Sequence, residues 1–174
     1  ARYADLGYAD EGQVAVYRGS NGGLQTAVHW SVRGAQNFAN FGSAVAGAGD
    51  VNGDGLSDII VGANFMDTNN LQDNGEARVY AGPLTGLSGI LPLWSYRGQQ
   101  SLENLGNSVG SGGDINGDGF ADVLTGSPGW TDSFWGQGRM LVFYGNDRSD
   151  PANTLSWKAQ QRRGDDSAPL GLLA

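Results

Sequence analysis

The 174-residue chain has no cysteine and a single histidine. Without Cys there is no disulfide framework, zinc ribbon or thiol nucleophile, and His29 alone cannot build a zinc site. His29 therefore reads as a structural strand residue. Basic residues are scarce: 10 Lys and Arg stand against 18 Asp and Glu, a net charge of −8. That balance argues against nucleic acid as the main partner, because phosphate neutralisation needs a basic patch. No apolar run approaches the ~20 residues of a bilayer-spanning helix. No stretch of ten or more residues keeps a capped 3.6-residue apolar period, so helix content is expected to be minimal. No leader segment is expected at the start of these residues, and Ala1 reads as mid-pattern, as in a mature or cut chain. No recognisable catalytic set accompanies His29, so these residues are not expected to form an enzyme.

Glycine, by contrast, is abundant, at 30 of 174 residues. That is more than double the usual ~7%, without a collagen period. The excess follows from a repeat. Asp50-Val51-Asn52-Gly53-Asp54-Gly55 returns as Asp114-Ile115-Asn116-Gly117-Asp118-Gly119, 64 residues later. Trp30 returns as Trp94 and Trp157, and Phe41-Gly42 as Leu105-Gly106 and Leu170-Gly171, at spacings of 63 to 65. A weaker triplet is Val16-Tyr17, Val79-Tyr80 and Phe143-Tyr144. Independent landmarks that keep one order and one spacing define a structural repeat.

Each repeat reads as four short strands. In the best-defined copy they fall at 42–49, rich in small residues, at 58–63, continuously apolar, at 76–81, alternating, and at 91–97, around Trp94. Asn-Gly, Asp-Gly, Gly-Pro and Gly-Leu-Ser-Gly turn signals separate them. Four antiparallel strands at a long fixed period predict blades of a β-propeller. Small residues would line the crowded centre, and the Trp residues would fill the wider gaps between blades. The expected fold is all-β, with a partial blade over 1–40 (the end of a second strand, then a third and fourth), complete blades over 41–104 and 105–169, and the start of another at 170–174.

The repeated acidic hexapeptides carry the chemistry. Asp50, Asn52, Asp54 and Asp58 occupy positions 1, 3, 5 and 9 of one loop, and Asp114, Asn116, Asp118 and Asp122 occupy the same positions of the other. Leu56 and Phe120, at position 7, would add backbone carbonyls while their side chains point to the core. Oxygen donors on alternate residues of a curled chain converge on one point. Three carboxylates, an amide oxygen and a carbonyl suit Ca²⁺, which takes six to eight oxygens in flexible geometry, better than Mg²⁺. Two such sites are expected. An EF-hand is excluded, because position 12 is Val61 or Thr125 rather than Glu, and the flanks read as strands. A structural metal is expected rather than a catalytic one.

The unit resembles the FG-GAP repeat of integrin α-subunit propellers. The resemblance lies in Phe41-Gly42, the 50–58 loop and Gly62-Ala63-Asn64, then in Leu105-Gly106, the 114–122 loop and Gly126-Ser127-Pro128. It departs by Leu for Phe, Asn for Pro and Ser for Ala, none at a metal position. It implies a seven-bladed propeller, calcium between first and second strands, and protein or matrix recognition by loops on the opposite face. Seven such blades would need about 450 residues, counted as repeat arrays are. The chain is therefore expected to be a fragment, a processed piece, or a subunit whose blades other chains complete.

The implied role is extracellular protein interaction, adhesion or scaffolding, in a secreted, periplasmic or cell-surface setting where millimolar calcium fills modest sites. The alternatives are a lectin-like propeller and an accessory segment of a secreted enzyme. The loop over 128–136 is unusual in carrying Trp130, Phe134 and Trp135, a candidate recognition patch for protein or glycan. Tyr3, Tyr8, Asp5, Asp10 and Glu11 occupy the corresponding loop of the first copy. Arg33, Arg97 and the 160–163 stretch read as solvated strand ends.

Overall fold

A computed structural model describes residues 1, 3–68, 70–84, 91–132, 136–146 and, by backbone alone, 156–157. Among these residues every regular element is a strand. A hairpin of β1 (Gln13–Ser20) and β2 (Gly23–Arg33) comes first, turning at Asn21-Gly22. Two four-stranded antiparallel sheets follow: β3 (Ala44–Gly49), β4 (Asp58–Ala63), β5 (Glu76–Tyr80) and β6 (Trp94–Arg97), then β7 (Ser108–Gly113), β8 (Asp122–Ser127), β9 (Arg139–Tyr144) and β10 (Ser156–Trp157). In both, each strand pairs with its neighbours in sequence. The two four-stranded sheets are propeller blades, and the hairpin forms a two-stranded sheet of its own.

The residue pattern explains these strands. β4 is an apolar run, and five of its six residues are buried. Position-to-position small residues on β3 let it lie beside β7 of the next blade; a Cβ at Gly49 would stand 2.6 Å from that of Ala121. The Phe-Gly and Gly-Ala ends of the repeat meet: Gly42 N–H donates to Gly62 O at 2.9 Å, and Gly106 N–H to Gly126 O at 3.1 Å.

The core lies between blades. Trp30, fully buried, meets Tyr80 edge-on at 5.3 Å alongside Phe41, Val14, Val61 and Ala63. One blade further on, Trp94 meets Phe143 at 4.5 Å beside Ile60, Val79, Val123 and Leu141. The repeated Trp thus fills the gap to the next blade, twice. The side chain of Trp157 lies outside the described residues, as do Leu170-Gly171 and the 160–163 stretch.

One landmark shifts. Ile59 pairs with Tyr80, whereas its counterpart Val123 pairs with Phe143. Phe143, not Tyr144, therefore takes the place of Tyr80, because the loop before β9 is one residue shorter than the loop before β5.

The close approach of blades makes a specific demand at Gly62. A Cβ there would collide with the Gly106 carbonyl. Gly62→Ala is expected to destabilise the chain by about 1–3 kcal/mol, as overpacking does. Urea unfolding of wild type and variant measures it, and equal midpoints would refute this contact.

Candidate metal centre

The two acidic loops join β3 to β4 and β7 to β8, and they fold alike. Asp50 Oδ1 accepts from Asp54 N–H at 3.0 Å and its Oδ2 from Gly55 N–H at 2.8 Å. Asp114 does the same with Asp118 at 3.0 Å and Gly119 at 2.9 Å. Asp54 Oδ1 caps Leu56 N–H at 2.8 Å, and Asp118 Oδ1 caps Phe120 N–H at 3.0 Å. The curl needs left-handed backbone at Gly53 and Gly55, with φ of 74° and 83°, and again at Gly117 and Gly119.

Position 9 has a further role that the spacing alone did not show. Asp58 is buried, and its carboxylate ties the loop entrance to the end of β5: Val51 N–H donates to Oδ2 at 2.9 Å and Gly82 N–H to Oδ1 at 2.8 Å. Asp122 binds Ile115 N–H at 2.7 Å and Gly145 N–H at 3.0 Å in the same way. Burial pushes the Asp58 carboxyl above the ordinary carboxylate range; the two amides oppose the rise, and the charges of Asp54 and Asp50 add to it.

The donor set fits a hard cation. Every side-chain donor is oxygen, each carboxylate keeps lone pairs beyond those its amides use, and among the described residues no Lys or Arg pairs with the loop aspartates. The carboxylates are engaged by backbone amides of their own loops and, for Asp58 and Asp122, also of Gly82 and Gly145, and among the described residues no three acidic or imidazole side chains are gathered on one point. Asp50, Asn52, Asp54 and Asp58, with Asp114, Asn116, Asp118 and Asp122, are the side chains that would hold the ion.

The position-7 expectation needs correction at Leu56. Its side chain is 43% exposed rather than in the core. The half-buried Phe120 shows why: its ring lies over Gly53 of the preceding loop, with Cε1 2.5 Å from where a Cβ would stand. The position-7 side chain packs on the loop one blade earlier, and among the described residues no such loop faces Leu56.

In an antiparallel meander the β4–β5 and β8–β9 loops, with the β2–β3 and β6–β7 connections, lie at the other end of the blades. Here Gln36 bridges to the next blade by a reciprocal pair, donating to Asp67 O at 2.9 Å and accepting from Asp67 N–H at 2.7 Å. Gln100 repeats it with Thr131 at 2.7 and 3.0 Å. Phe38 and Leu102, 64 residues apart, are both exposed and both held at positive φ, 61° and 62°. Bulky side chains rarely adopt that backbone, and such strain gathers at functional sites. Neither position carried a signal beyond its place in the repeat.

Of the candidate aromatic loop, Phe134 and Trp135 lie outside the described residues. Trp130 is half-buried, and the Arg139 guanidinium sits 3.4 Å from its ring centre. Arg139 is held in turn by the fully buried Glu103. Arg33 and Arg97, expected as solvated ends, are half-exposed and reach buried Glu11 and Glu76 at 3.9 and 3.5 Å. Residues 106–110 have the G-x-S-x-G spacing, but Ser108 begins an antiparallel strand, and His29 lies on another sheet.

The FG-GAP repeat family model matches residues 41–80 and 105–143. Integrin alpha-4 of Xenopus laevis is 30% identical over 124 residues, covering 71% of this chain and 11% of that protein. Integrin alpha-3 of Mus musculus is 34% identical over 113 residues, covering 65% and 10%. Integrin alpha-V of Gallus gallus is 31% identical over 133 residues, covering 74% and 12%. The chain thus spans about a tenth of the length of these relatives.

Proposed function

Since this chain belongs to the FG-GAP repeat proteins, we propose that it is a calcium-stabilised propeller module that recognises protein or matrix ligands outside the cell. The observation that carries the calcium assignment is the pair of acidic loops with the same internal hydrogen bonds and, among the described residues, no basic partner. The charges of Asp54 and Asp50 act unfavourably on the Asp58 carboxylate, and a divalent cation would offset that repulsion while pinning two strands at their joint. The metal's role is structural, and the proposed module is non-catalytic. No helix among the described residues is long and apolar enough to cross a membrane.

Recognition falls to the end of the blades opposite the acidic loops. Phe38 and Leu102 are presented there on strained backbone; Phe38 follows two residues after Gln36, which bonds the Asp67 backbone, and Leu102 N–H donates to the carbonyl of Gln72, beside Asp73. Integrin-type ligands are proteins, and a protein surface that buries an apolar anchor fits these positions. Replacing Phe38 with Gly relieves the positive φ and removes the anchor. The variant is expected to be at least as stable as wild type, by up to about 1 kcal/mol, yet to lose binding to immobilised extracellular-matrix proteins. Undiminished binding by the folded variant would remove Phe38 from the recognition face.

Calcium titration by calorimetry tests the metal assignment. Two ions per chain are expected, with none bound after Asp54→Ala and Asp118→Ala together. A wild-type chain that binds no calcium at millimolar concentration would overturn it.

A further inference from the structure

The two acidic loops are physically joined. The N–H of Ala121 donates to the carbonyl of Asp50 at 2.8 Å, and that of Asn146 to the carbonyl of Val51 at 3.0 Å. The Phe120 ring covers Gly53. The first half of the earlier loop, which carries positions 1 to 4, is therefore walled by the second half of the later loop, which carries positions 7 and 8. Phe120 belongs to both: its carbonyl is a candidate ligand of its own loop, and its ring fixes the backbone of the neighbour.

We propose that the two loops fill with divalent cation cooperatively, Phe120 being the residue that couples them. The inference rests on the calcium assignment above. A cation that orders residues 114–122 fixes Phe120 and Ala121, and so holds Asp50 and Gly53 in the curl the other cation needs. The second ion then binds a loop whose ordering entropy has already been spent, and linkage makes the effect reciprocal. Charge does not oppose this. Each loop contributes three carboxylates, so a filled loop retains a net negative charge and two filled loops do not present cation to cation.

The test follows the amide resonances of Gly55 and Gly119, one in each loop, while calcium chloride is added to the 174-residue chain. In wild type the two are expected to titrate together with a Hill coefficient above 1. Asp118→Asn, which disables the later loop, is expected to weaken calcium at Gly55 by about fivefold or more, within the usual range of coupling between sites. Phe120→Ala keeps every side-chain ligand, and is expected to leave both loops binding but independently. Phe120→Leu, which places there the residue found at position 56, restores the coupling.

Unchanged affinity at Gly55 in a folded Asp118→Asn chain, or unchanged cooperativity in Phe120→Ala, overturns the coupling while leaving calcium binding intact. Should Asp118→Asn not fold, the Phe120 pair decides alone. Failure of both wild-type resonances to respond to millimolar calcium overturns the calcium assignment, and this proposal with it.

Discussion

Chelating calcium is expected to lower the melting temperature of the 174-residue chain by about 10–20 °C, and restoring calcium to reverse the loss. A ligand present at 100 times its dissociation constant stabilises the folded state by about 2.7 kcal/mol, or about 5 kcal/mol for two loops. In a domain of this size each kcal/mol moves the midpoint by about 2–4 °C. Asp58 gives the effect a pH dependence. Its folded-state pKa lies above the ordinary 3.8 because it is buried near Asp54 and Asp50. A raised carboxyl binds its proton more tightly in the folded state. In the metal-free chain its contribution to stability is complete below the unfolded value and lost as pH rises through the folded one. Calcium needs the ionised form, so the calcium-dependent stabilisation should be large at neutral pH and shrink as acid protonates the loops. Melting curves with and without chelator across pH 4–7 check both statements. Identical curves at neutral pH would sink the structural role of the metal.

Removing the carboxylate of Glu103 is the other substitution with a large expected effect. Glu103 is fully buried between two blades. Its Oε1 accepts from Arg139 Nη2 at 2.6 Å and Nε at 3.0 Å, and its Oε2 from the N–H groups of Gln99 and Gln100 at 2.6 and 3.2 Å. Glu103→Ala leaves a largely buried guanidinium and two amides without their acceptor. Breaking a buried pair from one side costs about 3–5 kcal/mol, and that loss is expected in urea unfolding. A double variant Glu103→Ala/Arg139→Met should recover part of it, since the stranded charge is gone. Trp130 provides a second readout. Its ring lies against Arg139, so its fluorescence should change in Glu103→Ala before global unfolding. A loss below about 1 kcal/mol would place this pair among ordinary surface ion pairs.

Much of the fold was legible because a repeated blade repeats its local rules. The strand expected at 58–63 appears as Asp58–Ala63, since an apolar run buried on both faces has no other use. The strands at 76–81 and 91–97 appear as Glu76–Tyr80 and Trp94–Arg97, trimmed at the ends. The inter-blade role of the Trp residues followed from their size and spacing. The slip of Phe143 into the place of Tyr80 did not, because a one-residue deletion in a loop leaves no mark in a pattern read at a fixed offset.

The acidic loops were legible as a repeated pattern of Asp, Asn and Gly, since spacing within nine residues is local. Their surroundings were not. Asp58 and Asp122 also bind amides at the ends of β5 and β9, 23 to 24 residues away, and Phe120 is less exposed than Leu56 because, among the described residues, its ring alone of the two lies over a neighbouring acidic loop.

The period, the strand class, the acidic loop positions and the kinship with FG-GAP repeats can all be read along the chain, because each depends on residues near one another in it. Tertiary structure alone decided which side chains span the gap between blades. The Gln36 and Gln100 bridges, the Glu103–Arg139 pair beneath Trp130, the strained display of Phe38 and Leu102, and the seating of Phe120 on Gly53 join residues 31 to 67 positions apart or depend on such packing. Contacts of that kind are set by how one twisted sheet packs on the next, and no local spacing encodes them.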